Sequence, residues 1–259
     1  MVNLKNYNDV LKLFVIFLTL FLVLSCGKHN YSVSKIEGKK IAITDKEKQD
    51  PKIENFIKPY RDHIDNDLNS ILAYSPETLD KSSGKWQTTI GNLMADATLQ
   101  CGNPIFLSRE KKNIDLCILN HGGIRAILPK GNVTTRTAYE IMPFENSLVV
   151  IALKGEQIFE MLDYFIATQK PHPLSGITFT IGKDNVAKNI LIQGKPVLKE
   201  TIYYVATNDY LANGGDNMNF FKKGTQKYDM DYKLRNILID YFKEVDTIPV
   251  LNDIRVTIE

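Results

Sequence analysis

The chain of 259 residues is long enough for one large or two small domains, and its 44% apolar and 24% charged residues are ordinary for a soluble globular protein. A net charge of +2, without a block of Lys and Arg, gives no support to a nucleic-acid polymer as a partner. The four histidines show no metal-site spacing, so we predict no metal ligands. Spacing alone leaves open whether Cys101 and Cys117 form a disulfide or two separate thiols.

Residues 1–25 are predicted to be a signal peptide. Lys5 and Lys12 precede an unbroken apolar run over residues 13–24, which is shorter than the roughly 20 residues of a membrane span. The ending VLSCG resembles a bacterial lipoprotein signal, in which Cys26 carries the lipid and becomes the new N-terminus. A simple membrane anchor is the alternative. In both cases we expect an extracytoplasmic protein of the cell envelope that is attached to the membrane.

The polar residues 26–35 are predicted to form a tether. From Asp50 onward, apolar residues at steps of three and four predict an amphipathic helix, which Asp50 and Pro51 open and whose apolar face we expect in the core. His63 lies beside that face, and we expect it in solvent or at the edge of the core.

The elements that follow are predicted from periodicity and turn residues. They are a helix from about Gly91, a central strand over residues 114–120, a helical turn capped by Thr134 or Thr135, a strand and a helix joined at Gly155, an antiparallel pair that turns at residues 183–185, a strand over residues 201–207, a helix over residues 231–245 and a closing strand over residues 254–259. Because strands and helices mix without strict alternation, we predict a single α+β domain over residues 36–259.

Two glycine pairs each follow a strand-like apolar run, in NHGGIR (residues 120–125) and in NDYLANGGD (residues 208–216). Glycine permits a positive φ and lets the backbone approach a ligand closely. Arg125 offers a planar fork of donors to a phosphate or carboxylate. The two aromatic residues Phe144 and Tyr210 would clamp a flat ring, with stacking worth about 1–3 kcal/mol per base.

An acidic residue and three asparagines complete this pattern. Asp216 suits the vicinal hydroxyls of ribose, and the asparagine amides can both donate and accept. We therefore predict a nucleoside or nucleotide pocket formed by Asn120, Gly122, Gly123, Arg125, Phe144, Asn146, Asn208, Tyr210, Gly214, Gly215 and Asp216. Each feature alone also has a structural interpretation, since glycine pairs form turns, Phe144 beside a proline can fill the core, and Asp216 can close a local turn.

The motifs resemble the C-terminal domain of bacterial and animal 5′-nucleotidases. That family carries Asn-x-Gly-Gly-Ile-Arg, Gly-x-Val/Ile-Thr, Pro-Phe-x-Asn, a strand and a Gly-initiated helix, in the order seen over residues 120–162. Residues 203–221 (YYVATNDYLANGGDNMNFF) are similar to the family's second signature, and residues 91–97 (GNLMADA) to its opening helix. The resemblance covers about residues 85–221 and implies that family's fold.

The resemblance also implies roles for single residues. It assigns base stacking to Phe144 and to Tyr210, where the family commonly has phenylalanine, and the phosphate side to Arg125. It assigns the ribose hydroxyls to Asp216, a place in the loop to Asn120 and an approach to the base to Asn146.

Three positions depart from the family pattern. His121 stands where a small residue is usual, and we expect it to face solvent rather than the ligand. Glu145 stands where glycine is common, which predicts a different support for Phe144. Upstream of Gly91 the family often has a phosphate-binding arginine, where Lys85 offers only a point charge.

Family enzymes carry an N-terminal metallophosphatase domain that holds two metal ions. The roughly sixty residues between Cys26 and Lys85 lack that cluster and are too few for such a domain. We therefore expect no cofactor in this chain, divalent metals on a separate metallophosphatase chain, and a split 5′-nucleotidase that breaks down nucleotides outside the cytoplasm. A non-catalytic nucleoside-binding lipoprotein and a scaffold with a decayed pocket are the alternatives. The joint retention of the pocket residues disfavours decay, and Arg125 favours a phosphate-bearing ligand.

Overall fold

The computed structural model describes residues 4–24, 32–44, 46–250 and 252–259. These divide into a unit that ends at Pro51 and a larger compact unit from Lys52 to Glu259. Cys26 and most of the predicted tether lie outside the described residues, so the lipoprotein signal stays a prediction. Within the described ranges, none of the helices combines the length and hydropathy that a membrane span requires.

The elements alternate irregularly between helix and strand along the chain. The helices are α1 (Leu4–Leu24), α2 (Pro51–Leu68), α3 (Thr89–Glu110), α4 (Thr135–Ile141), α5 (Gly155–Thr168), α6 (Asp209–Ala212) and α7 (Leu234–Val245). The strands are β1 (Ile71–Ser75), β2 (Leu116–Ile118), β3 (Gly131–Thr134), β4 (Ser147–Lys154), β5 (Leu174–Ser175), β6 (Ile177–Ile181), β7 (Ala187–Ile192), β8 (Lys195–Pro196), β9 (Ile202–Asn208), β10 (Gln226–Lys233) and β11 (Val256–Ile258). Short 3₁₀ turns lie at His121–Gly123, Gly215–Asn217 and Asn219–Lys223.

A five-stranded sheet in the order β10-β4-β9-β2-β5 forms the centre of the larger unit. Alternate side chains of β4 enter two cores on its opposite faces, as the pleat of a strand requires. Leu148 and Val150 pack with α3 and α7, whereas Val149 and Ile151 pack with α5 and the sheet β11-β6-β7-β8. The central sheet is thus covered on both faces, which explains the continuous apolar sequence of β4.

Much of the predicted order of elements is confirmed. The strand β2 is buried between β9 and β5, β6 and β7 pair antiparallel, and β4 leads directly into α5. Thr134 caps α4, with its hydroxyl accepting a hydrogen bond from the Thr137 backbone N–H. The mixed α+β architecture is therefore the predicted one.

Several elements were missed or misplaced. The sheet formed by β1 and β3 was not predicted, and β10 occupies residues 231–233, where a helix was expected to begin. The helix α7 begins only at Leu234. Apolar and charged residues alternate over residues 227–233, a pattern typical of a half-buried strand that was overlooked, and the pairing of β10 with β4 is a long-range contact. Periodicity within a segment carries no information about such a partner.

The expectation that the apolar face of α2 lies in the core is wrong. None of its residues is buried, and several of its apolar side chains are more than half exposed, including Phe56 at 71% and Tyr60 at 64%. A polar contact ties the helix to the body instead, because the Arg136 guanidinium donates to the Asp65 carboxylate at 2.8 Å. The spacing of apolar residues defines a face, but it does not say what covers that face. His63 is exposed, as expected, and its imidazole lies 3.5 Å from the Asp67 carboxylate.

The segment that leads into β11 is fixed by Arg255, whose side chain is 6% exposed. Its guanidinium donates to the carboxylates of Asp96 and Asp253, both at 2.6 Å, and to the backbone carbonyl of Leu174. A buried cation is tolerated only when it is paired and hydrogen-bonded in this way. Arg255 therefore joins the end of the chain to α3 and β5.

Replacement of Arg255 by Met should lower the free energy of unfolding by about 3 kcal/mol, because the Asp96 carboxylate loses its buried partner. Urea titration followed by circular dichroism measures the change. Lys223→Met is the matched control: it breaks an exposed ion pair with Glu160 and should cost less than about 1 kcal/mol. Equal losses in the two variants would contradict the structural role of Arg255.

Candidate functional site

Three loops meet at one edge of the central sheet. The strands β2 and β9 run parallel, with Cys117 opposite Ala206, so their carboxyl ends lie side by side. The strand β4 runs antiparallel to β9 and places Leu148, near its own start, opposite Asn208. The two glycine loops and the loop before β4 consequently converge, although they are far apart in sequence.

The first glycine loop leaves β2 through Asn120 and forms the 3₁₀ turn His121–Gly123. Asn120 is 8% exposed, and its side-chain oxygen accepts from the Asn208 amide at 3.4 Å. A side chain at Gly123 would place its Cβ 3.0 Å from that Asn120 oxygen, so the turn packs closely on the asparagine. The Arg125 backbone N–H donates to the Ile141 carbonyl at 2.9 Å, which fixes the exit of the loop.

The second glycine loop begins at Asn208, whose side chain caps α6 by accepting from the Leu211 N–H at 2.8 Å. Gly214 has a φ of +88°, which favours glycine, and Asp216 has the unusual φ of +51° for a residue with a side chain. The Tyr210 ring lies directly over Gly215, where an added Cβ would come within 2.5 Å of the ring. The Tyr210 hydroxyl donates to the Asp216 carboxylate at 2.9 Å and accepts from its backbone N–H at 3.2 Å.

The loop that carries Phe144 is held by contacts to β10 and α7. The Arg235 guanidinium donates to the Glu145 carboxylate, and the Lys233 ammonium donates to the Glu145 backbone carbonyl at 2.8 Å. Arg235 also lies over the Tyr139 ring at 4.1 Å. The hydrogen bond from Arg235 lowers the pKa of Glu145. Glu145 thus holds the loop through its side chain, where the resemblance implied a glycine.

A cleft of about 370 Å³ opens between these loops and is lined by Asn120, Gly122, Gly123, Arg125, Phe144, Asn146, Tyr210 and Asp216. All of these residues are among the predicted binding residues. Phe144 and Tyr210 are 41% and 47% exposed, so neither ring is sealed in the core. Of the other predicted residues, Asn208 donates to Asn120, Gly215 lies against the Tyr210 ring, and Gly214 precedes Gly215 in the second loop.

Positive charge lies on one side of the cleft. The Arg125 guanidinium lies 5.7 Å from the centre of the Phe144 ring and has no carboxylate partner among the described residues. Lys81, which was not predicted, donates to the backbone carbonyl of Ile124 at 2.8 Å and so lies against the first glycine loop. Lys85, the predicted point charge, lies instead over the Trp86 ring at 5.3 Å and does not line the cleft.

Two histidines lie behind the first loop. His121 is half-buried rather than turned to solvent as expected; burial, followed by the charge of Lys81, lowers its pKa. His172, which was not predicted, is 2% exposed, and its Nδ1 accepts from the His121 backbone N–H at 3.3 Å. Burial lowers the pKa of His172 to about 4, while the charge of Asp216 acts in the opposite direction.

Sequence patterns did not single out Lys81, Tyr164, His172 or Arg235, all of which contact the site loops. Their contacts join residues that are 43 to 92 positions apart, so no local spacing reports them. The sequence gives one local indication that His172 has a fixed position, because Pro171 and Pro173 on both sides restrict its backbone.

The chemistry available in the cleft is recognition by stacking and hydrogen bonding. In the part of the chain that the structure describes, no group of three or more His, Cys, Asp or Glu side chains is placed to hold a metal ion. Cys101 and Cys117 both carry free thiols, and burial raises the pKa of Cys101 to about 11. These thiols lie outside the cleft lining.

The residues that line the cleft lie within a part of the chain that matches a known family. The family model described as the C-terminal domain of 5′-nucleotidase matches residues 71–223, which is more than half of the chain. The chain therefore belongs to this family, as its motifs predicted.

Relatives and solved structures extend this likeness. A 5′-nucleotidase of Vibrio parahaemolyticus is 25% identical over 189 residues, which are 70% of this chain and 31% of the relative. The trifunctional nucleotide phosphoesterase protein YfkN of Bacillus subtilis is 24% identical over 240 residues, 86% of this chain and 16% of its own. The structure of a 5′-nucleotidase precursor from Thermus thermophilus has a TM-score of 0.67 at 23% identity and covers 79% of this chain and 42% of that chain. The fold is thus that of the family, and the chain spans less than half the length of these relatives.

The buried His172 predicts a pH dependence of stability. Its folded pKa of about 4 lies below the ordinary value of 6.5, so the unfolded chain binds a proton that the folded chain does not. The free energy of unfolding should therefore fall by roughly 3 kcal/mol from this group as the pH drops from 7 to 4. Urea titrations at both pH values should show a smaller loss for His172→Asn than for the wild type, since the other groups are common to both. Equal losses would contradict a buried neutral histidine.

Proposed function

We propose that this chain supplies the nucleoside- and nucleotide-binding part of a split 5′-nucleotidase in the cell envelope. The observation that carries the proposal is the single cleft in which Arg125, Phe144, Tyr210 and Asp216 meet. Phe144 and Tyr210 present exposed rings for a flat base, and Asp216 presents a carboxylate for the ribose hydroxyls. Arg125 keeps its donors available for a phosphate.

Hydrolysis is assigned to a separate metallophosphatase chain. The two relatives described above are named as a 5′-nucleotidase and a nucleotide phosphoesterase, and this chain spans 31% and 16% of their lengths. Two-metal hydrolysis needs a cluster of metal ligands, and the described residues contain no such group. The exposed apolar face of α2 supports the presence of a partner, because apolar faces of this kind are commonly covered by another surface. A lipid on Cys26 would keep the complex at the membrane.

The second candidate is a lipoprotein that captures nucleosides without hydrolysis. The position of Arg125 at the cleft favours a phosphate-bearing ligand over a nucleoside alone. The two candidates differ in one measurable quantity, which is the ratio of the affinities for a nucleoside 5′-monophosphate and for the same nucleoside. A split nucleotidase should bind the monophosphate more tightly.

Phe144→Ala and Asp216→Ala should each weaken nucleoside binding by about 1–3 kcal/mol, because one removes a stacking ring and the other a charged acceptor. Calorimetry with the folded variants measures this change. Phe56→Ala is the control, since it removes an exposed ring on α2 away from the cleft and should leave the affinity unchanged. Wild-type affinity in both cleft variants would reject the pocket.

The purified chain should release no phosphate from nucleotides in the presence of Mg²⁺, Mn²⁺ or Zn²⁺, because the metal cluster is expected on the partner. Capture with the membrane-tethered chain as bait should recover a protein that confers metal-dependent hydrolysis. A bait with Phe56→Glu and Tyr60→Glu, both on the exposed face of α2, should recover less of it. Metal-dependent turnover that co-purifies strictly with this chain alone would overturn the assignment.

A further inference from the structure

The two glycine loops are connected behind the cleft by a segment outside both family signatures. This segment comprises the end of α5 and the residues that lead from it into β5. It runs along β2, where the Leu119 backbone N–H donates to the Pro173 carbonyl at 3.0 Å. Two of its side chains, Tyr164 and His172, each contact one of the glycine loops.

His172 contacts the first loop. Its Nδ1 accepts from the His121 backbone N–H at 3.3 Å, which requires the neutral ring to carry its proton on Nε2. That Nε2 is buried and has no hydrogen-bond partner among the described residues. A buried donor without a hydrogen-bond partner lowers the stability of the fold, so we look for a role of His172 that offsets this cost. The contact to His121 supplies one, because it fixes the turn that presents Gly122 and Gly123 to the cleft.

Tyr164 contacts the second loop. Its hydroxyl donates to the backbone carbonyl of Asp216 at 2.7 Å, while the Tyr210 hydroxyl holds the Asp216 N–H and carboxylate from the other side. Asp216 has a φ of +51°, a conformation that persists only where the surroundings enforce it. The hydroxyls of Tyr164 and Tyr210 therefore both hold Asp216 in place.

The two contacts belong to one packed layer. The rings of Tyr164 and His172 lie 5.7 Å apart, and the Phe165 ring lies 6.0 Å from that of His172. The Tyr164 hydroxyl donates to the Asp216 carbonyl, so the ring that lies beside His172 also reaches the second loop. The two loops are thus linked by a continuous series of contacts through these side chains.

We propose that Tyr164 and His172 are positioning residues that hold the two glycine loops at a fixed separation, so that Asp216 and Arg125 engage the sugar and the phosphate of one nucleotide together. This inference rests on the proposed function of the cleft. Neither side chain lines the cleft. Their effect reaches the ligand through the backbone of His121 and of Asp216, and it concerns ligands that contact both loops.

Hydrogen exchange of the ligand-free full chain in detergent tests the connection itself. Tyr164→Phe removes only the hydroxyl and should speed amide exchange in residues 119–125 as well as in residues 214–217. Phe179→Leu, in the same core as Phe165, is the control and should leave exchange in both loops unchanged. Unchanged exchange in residues 119–125 of Tyr164→Phe would overturn the proposal, whatever the ligand.

Binding supplies the functional half of the test, with adenosine 5′-monophosphate, adenosine and adenine as probes. His172→Phe and Tyr164→Phe should each weaken binding of the monophosphate about tenfold, the factor expected for the loss of one well-placed hydrogen bond. The fold-loss of affinity in the double variant should be smaller than the product of the two single losses, because both residues maintain the same arrangement of the loops. Adenine should bind within about twofold of the wild-type affinity, since Phe144 and Tyr210 remain in place.

A conservative variant separates positioning from general stability. His172→Asn retains an acceptor for the His121 N–H and should keep most of the wild-type affinity. Three outcomes would each overturn the inference. The first is an equal loss of affinity for adenine, and the second is a double variant whose loss equals the product of the single losses. The third is an equal loss of affinity in His172→Asn and His172→Phe. If the wild type binds none of the probes, the proposed function fails, and the hydrogen-exchange result still decides the connection between the loops.

Discussion

The parallel pairing of β2 and β9 is the constraint on which the candidate site depends. It brings Asn120 and Asn208 together at the carboxyl ends of neighbouring strands, where the Asn208 amide donates to the Asn120 side-chain oxygen. Loops that follow the carboxyl ends of neighbouring parallel strands commonly form ligand sites. The antiparallel β4 then adds the Phe144 loop at the same edge. Without this pairing, the two glycine motifs would share a sequence pattern but not a cleft.

The sequence predicted the residues of the cleft better than it predicted their supports. Glycine pairs, the Pro-Phe-x-Asn motif and the cap at Thr134 are local patterns, and the structure places each where the pattern requires. The supports at Lys81, Tyr164, His172 and Arg235 act through long-range contacts, for which no spacing rule exists. The exposure of α2 was missed for the same reason, since an apolar face does not reveal its cover.

The departures from the family pattern have physical compensations in this chain. Glu145 replaces the flexibility of a glycine with an anchor to Arg235, which in turn lies over Tyr139. Tyr210 keeps the aromatic ring of the common phenylalanine and adds a hydroxyl that holds Asp216. Both changes exchange conformational freedom for fixed geometry. Each residue therefore adds a hydrogen bond that holds part of the cleft lining in place.

The exposure of Phe144 and Tyr210 follows from the same supports. The free energy falls when an unrestrained aromatic side chain packs onto nearby apolar surface. Here the Phe144 loop is held out by Glu145 and Lys233, and the Tyr210 ring is held over Gly215 by its bonds to Asp216. A ligand then does not have to order these groups, and that cost is one of the main losses in binding. Both rings are consequently held at the cleft in the ligand-free chain.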